Sequence, residues 1–100
     1  MNGPIYKFYR MRWTAEWYAL SKTEQDALLA KNNGLATQFG VKTLLFCNSS
    51  WSNERWLGSG VEEYPDMGSV QKYNAALQEI EWFRYAEGET MLGTAWPTDA

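Results

Sequence analysis

The stretch "RWLGSGVEEYPD", Arg55 to Asp66, contains a Gly58-Ser59-Gly60 that belongs either to a phosphate-binding loop or to a strand, and the two assignments lead to different architectures. A dinucleotide loop needs a third glycine three residues on and a helix starting there, because the pyrophosphate rests on the helix N-terminus. Position 63 is Glu and Pro65 follows, so the phosphate loop is set aside. Read as a strand, Arg55 to Tyr64 stops at Pro65, and strand alternation places Trp56, Gly58, Gly60 and Glu62 on one face. The glycines leave a bare patch there, which takes either a bulky side chain from a neighbour or partner, or a ligand.

Upstream, Ile5 to Trp13 alternates as a strand, with Ile5, Tyr9, Met11 and Trp13 on one side and Tyr6, Phe8, Arg10 and Arg12 on the other. Aromatic bulk on both faces suits a central strand covered on both sides. Ser21-Lys22-Thr23-Glu24 is a capping box, and Leu28, Leu35 and Phe39 form a weak helical stripe that Gly40 ends. Val41 to Ser50 reads as a second strand, apolar on both faces, with Cys47 in its core. Asn48 to Glu54 forms a hairpin loop with Trp51 at its middle. Downstream, Asp66 caps a helix marked by Val70, Tyr73, Leu77 and Ile80, which frays through "EWFRYAEG" and closes at Gly88. Glu89 to Trp96 is the fourth strand, ended by Pro97.

The order is β-α-β-β-α-β, an α+β ferredoxin-like arrangement over a single domain, residues 1–100. Short, unknotted connections give an antiparallel sheet in the order 4-1-3-2 with both helices on one face. The other face stays uncovered. Because it bears several aromatics, a two-fold homodimer burying sheet against sheet is expected.

Composition narrows the function classes. The chain has 45% hydrophobic and 21% charged residues, with six Trp, six Tyr and four Phe, more aromatic surface than one small core readily hides. The net charge of −3, with neither sign in a block, argues against a nucleic-acid partner, since phosphate neutralisation needs a basic stripe. One cysteine, no apolar run of signal length and no window near the roughly 20 apolar residues of a span lead to the expectation of a cytoplasmic protein without membrane contact.

In element order, length and the run of the second helix into "WFRYAEGETMLGTAW", the chain resembles the dimeric α/β-barrel superfamily, whose ferredoxin-like protomers face their sheets together. That resemblance implies a homodimer and a ligand cleft between sheet and helices. The superfamily includes cofactor-free monooxygenases, lactone isomerases, haem-degrading monooxygenases and stress-responsive proteins, and the fold alone does not choose among them. The chain has no histidine. The axial ligand of the haem-degrading members and the cleft histidine of the isomerases therefore have no counterpart here.

Without histidine, a general acid or base has to be Glu, Asp, Tyr or Lys. Glu62 is the first candidate, since burial beside the glycines would shift its proton affinity; the alternative is an ion pair with Arg10 or Arg12. Tyr64 is the second proton-moving candidate. Arg10 is placed to clamp an anionic substrate, Asn48 to orient a carbonyl or else start the turn, and Trp13 and Trp56 to wall the cleft. Glu62, Glu63 and Asp66 are split between faces, so neither a metal nor another cofactor is expected. The function expected is binding of a small aromatic or oxygenated molecule, with cofactor-independent oxidation or isomerisation if catalytic. The alternative is a non-catalytic binding or stress-response module whose aromatics only pack the dimer.

Overall fold

The computed structural model describes residues 3–97. Strand β1 (Ile5–Trp13) leads into the single turn α1 (Ala15–Tyr18) and the long helix α2 (Lys22–Gln38); β2 (Lys42–Asn48) and β3 (Gly58–Tyr64) form a hairpin; α3 (Met67–Glu79), the single turn α4 (Trp82–Tyr85) and β4 (Ala86–Gly93) complete the order. The sheet is antiparallel throughout, in the order β2-β3-β1-β4. This is the expected 4-1-3-2 read from the other edge.

Helix starts follow local chemistry. Ser21 accepts a hydrogen bond from the Glu24 amide, and Glu24 reaches back to the Ser21 amide, so α2 begins with a complete capping box. Asp66 accepts from the Ser69 amide at the start of α3. Gly40, at φ 72°, supplies the left-handed residue that turns the chain from α2 into β2.

Pairing registers assign each side chain to a face. Ile5 lies opposite Tyr64, Lys7 opposite Glu62 and Tyr9 opposite Gly60. Because Tyr64 and Ile5 join Val70, Tyr73 and Leu77 of α3 in the buried cluster, with Leu35, Ala36 and Phe39 packed against it, these odd residues of β1 and even residues of β3 face the helices. Tyr6, Phe8, Arg10 and Arg12 face away. The β2–β3 ladder slips between Thr43 and Leu45, a bulge in an edge strand whose seven residues are all exposed. Cys47 is thus an exposed thiol rather than core.

The bare patch at the two glycines is filled from within the chain. A Cβ on Gly58 would meet the Phe46 ring at 2.7 Å, and one on Gly60 would meet the Tyr9 hydroxyl at 2.7 Å and the Leu45 carbonyl at 2.8 Å. Tyr9 and Phe46 stack over them, centroids 6.2 Å apart. The missing side chains make room for two rings.

Strand boundaries differ from the sequence reading, most at β3 and β4. β3 starts at Gly58 rather than Arg55 because the Asn53 side chain accepts from the amides of Arg55 and Trp56, holding them in a turn. β4 runs Ala86–Gly93 rather than Glu89–Trp96: Glu81, in the left-handed conformation at φ 58°, breaks the helix, and Ala86 is already extended. Gly88 therefore sits inside the strand, where any Cβ would strike the Arg10 carbonyl oxygen. It permits close backbone approach and does not end a helix. Gly88→Ala is expected to cost about 1–3 kcal/mol of stability, read as a lower urea midpoint with an unchanged m-value; an unchanged midpoint would show that the approach to Arg10 is not tight.

Candidate functional site

The helix-facing side of the sheet, roofed by α2, α3 and α4, encloses a half-open cleft of about 360 Å³. Its floor comes from β1 and β3, with Lys7, Tyr9 and Glu62 in adjoining positions. Its walls are aromatic: Phe46 from β2, Tyr73 from α3, and Trp13, Trp82 and Phe83 at the far end. α2 contributes Leu29, Asn32 and Asn33. A volume of this size lies at the lower end of the roughly 300–1,000 Å³ typical of small-molecule sites.

Polar groups on the floor are linked. The buried Tyr64 hydroxyl donates to Glu62 Oε1 at 3.0 Å, and Lys7 Nζ lies 3.7 Å from the same oxygen. Lys7 also sits 5.3 Å from the centre of the Tyr9 ring. Across the cleft, the Tyr73 hydroxyl donates to Asn32 Oδ1, tying α3 to α2. Burial, then the Glu62 charge, push the Tyr9 phenol up to about 12, and the same two causes in the same order raise Tyr64 and Tyr73. All three stay neutral phenols at neutral pH.

Of the six residues singled out from sequence, the structure brings Glu62 and Trp13 into the cleft together. Trp13 stacks on the buried Trp17 at 3.8 Å and meets Trp82 edge-on at 5.7 Å, so its ring is fixed as a wall. Tyr64 has no exposed surface and reaches the cleft only through Glu62.

Trp56 and Asn48 are placed elsewhere, and Arg10 contributes only to the cleft rim. Arg10 points to the open sheet face, where its Nε donates to Glu89 at 3.0 Å, and Arg12 pairs with Glu87 there. Neither arginine meets Glu62, because an antiparallel register sets Lys7, not an arginine, opposite it. Trp56 follows the arginines: freed from alternation by the turn at Asn53, it is buried with the guanidinium groups of Arg10, Arg12 and Arg55 within 5.6 Å of its ring. Asn48 accepts from the amide and hydroxyl of Ser50 and starts the hairpin turn. Lys7, Tyr9, Tyr73 and Asn32 join the site without having been singled out from sequence. Parity alone places Lys7 with Ile5 and Tyr9, whereas Tyr73 and Asn32 meet only through tertiary packing.

No protein-family model matches the sequence, and no curated protein matches it. Solved structures do match in fold. Chlorite dismutase from Candidatus Nitrospira defluvii superposes with a TM-score of 0.76 at 23% identity, over 99% of this chain and 43% of that one. A haem-binding protein from Thermus thermophilus superposes with a TM-score of 0.73 at 16% identity, over 94% of this chain and 40% of that one. The fold is shared with chlorite dismutase-like proteins. The chain spans less than half the length of those it matches.

Those neighbours raise the question of haem, and the donors in this cleft do not fit it. Haem iron takes an axial His, Cys, Tyr, or Met paired with His, and the chain has no histidine. Cys47 lies outside the cleft lining. Tyr9 and Tyr73 are held as phenols by burial and Glu62, against the phenolate that iron would need. Among the described residues, no group of three His, Cys, Asp or Glu could hold a metal ion.

The raised phenols have a consequence for stability. A group whose folded affinity for its proton exceeds its unfolded value stabilises fully below the unfolded pKa, about 10 for Tyr, and that contribution disappears as pH rises through the folded value. Stability is therefore expected to fall from about pH 10 toward pH 12, followed by urea unfolding at stepped pH. In Tyr9→Phe the fall should be shallower; a slope equal to wild type would remove Tyr9 from the linkage.

Proposed function

We propose that this protein binds a small, flat, largely apolar molecule with one polar head in the cleft between its sheet and its helices, as a homodimer joined through the open sheet faces. The observation that supports the binding reading is the cleft itself, with aromatic walls around a hydrogen-bonded floor. An aromatic or oxygenated body of one or two rings suits that volume and those walls.

Dimerisation draws support from the opposite face. Phe8, Leu45 and Met91 are 50%, 58% and 70% exposed there, with Val61 between Leu45 and Phe8 and Tyr6 further along β1 on the same face. An apolar surface of this kind on a small protein is commonly closed by a partner, and a self-complementary sheet face suits a two-fold axis. The Arg10–Glu89 and Arg12–Glu87 pairs would then lie at one end of the interface. No described helix is long and apolar enough to cross a membrane, and the free thiol of Cys47 suits the reducing cytoplasm.

Binding is favoured over proton transfer because the Glu62 carboxylate already holds the Tyr64 hydroxyl and faces Lys7. As a cofactor-independent oxidation or isomerisation catalyst it would have to release one of them.

Tryptophan fluorescence should report the ligand, since Trp13 and Trp82 form the wall. A panel of small phenols, quinones, amines and carboxylates is expected to contain members that quench the wild type saturably and leave Leu29→Trp, which fills the cleft from α2, unaffected. Equal quenching of both would move the site elsewhere. Sedimentation should give twice 11.5 kDa at micromolar concentration; a species of 11.5 kDa would refute the dimer.

A further inference from the structure

The polar head of the ligand can be specified further, on the assumption that the cleft is the binding site. Both contacts to Glu62 fall on one oxygen: the Tyr64 hydroxyl and Lys7 Nζ each approach Oε1. Oε2 takes no hydrogen bond from the described residues, and no buried side-chain oxygen among them is left without a partner, so Oε2 is open to the cleft. It is an acceptor without a donor. The rings of Tyr9, Phe46 and Tyr73 line the same cleft, with Trp13 and Trp82 at its far end.

The other charged residues of the lining do not alter this balance. Arg10 and Glu87 contribute to the cleft rim, while their charges are paired with Glu89 and Arg12 on the far side of the sheet. That leaves Lys7 and Glu62 as the charged pair inside, and at 3.7 Å their contact is long for an ion pair with a direct hydrogen bond. Lys7 is itself an alkylammonium held between a carboxylate and the face of Tyr9. The cleft therefore already stabilises, with its own side chain, the kind of group it would take from solution.

We infer that the cleft selects an organic cation, a protonated amine on a flat apolar body, whose N–H donates to Glu62 Oε2 while the body stacks on the aromatic walls. Lys7 is then an internal competitor for the same carboxylate. The upward displacement of Tyr9, Tyr64 and Tyr73, to which Glu62 contributes in each case, indicates that its charge is felt across the site, which disfavours carboxylates and phenolates as ligands.

Three probes with the same ring separate the possibilities: benzylamine, benzyl alcohol and benzoate, titrated calorimetrically into the full chain at pH 7. Benzylamine is expected to bind at least about tenfold tighter than benzoate, as a charge-assisted hydrogen bond implies. Glu62→Gln should abolish that preference while benzyl alcohol binds as before. Lys7→Gln should tighten benzylamine by about three- to tenfold, because the competing ammonium is gone; a purely structural Lys7 would give equal or weaker binding. Benzoate or benzyl alcohol binding as tightly as benzylamine, or an unchanged preference in Glu62→Gln, would overturn the inference and leave the cleft as a binding site. Binding of none of the three by the wild type would overturn both. If Glu62→Gln fails to fold, the Lys7→Gln result decides alone.

Discussion

Tyr64 is fully buried and still carries a hydroxyl, and a hydroxyl removed from water needs an acceptor. The nearest residue on the same strand face is Glu62, two positions before it, and the hydroxyl donates to that carboxylate. A negative charge is thereby drawn under the helices. It needs a counter-charge, which the antiparallel register supplies as Lys7 on the neighbouring strand. The core and the cleft floor are in this way one arrangement: the residue that anchors the hydrophobic cluster also positions the carboxylate.

The pleat of the sheet divides its side chains into two chemically different surfaces. Toward the helices it presents Ile5, Lys7, Tyr9, Glu62 and Tyr64, a small core grading into a polar cleft floor. Away from them it presents Phe8, Arg10, Arg12, Glu87, Glu89 and Met91, where cross-strand ion pairs sit beside exposed apolar groups. Exposed pairs of that kind contribute little stability, about 0–1 kcal/mol each, so their value on this face lies in register and orientation. Gly58 and Gly60 mark where the helix-facing surface is thinnest, and Tyr9 and Phe46 lie over them.

Element order, strand order and both long helices are legible in the sequence, because capping residues and helical spacing act locally. The capping box at Ser21 and the cap at Asp66 are examples. Sequence and structure part where a local signal is outweighed. Alternation extends on paper through Trp56, although Asn53 has already bent the chain by accepting two backbone amides. Gly88 looks like a helix terminator in sequence and is a strand residue because β1 passes too close for a side chain. An arginine partner for Glu62 fails on register, and the parity of Ile5 and Tyr64, both apolar and both inward, already implies Lys7. The Tyr73–Asn32 contact, made across 41 residues by packing of α3 on α2, has no sequence signal.

Strand β2 bears on how this chain avoids sticking to itself in the wrong way. It is a sheet edge with Leu44, Leu45 and Phe46 in succession and more than half exposed, next to a row of backbone groups able to recruit another strand. The slip between Thr43 and Leu45 interrupts that row in the middle of the apolar run. A flat edge would serve as a template for open-ended stacking; a bulged one, preceded by Lys42, breaks the periodicity that such growth requires. The irregularity at Thr43 thus interrupts the edge where its side chains are most apolar.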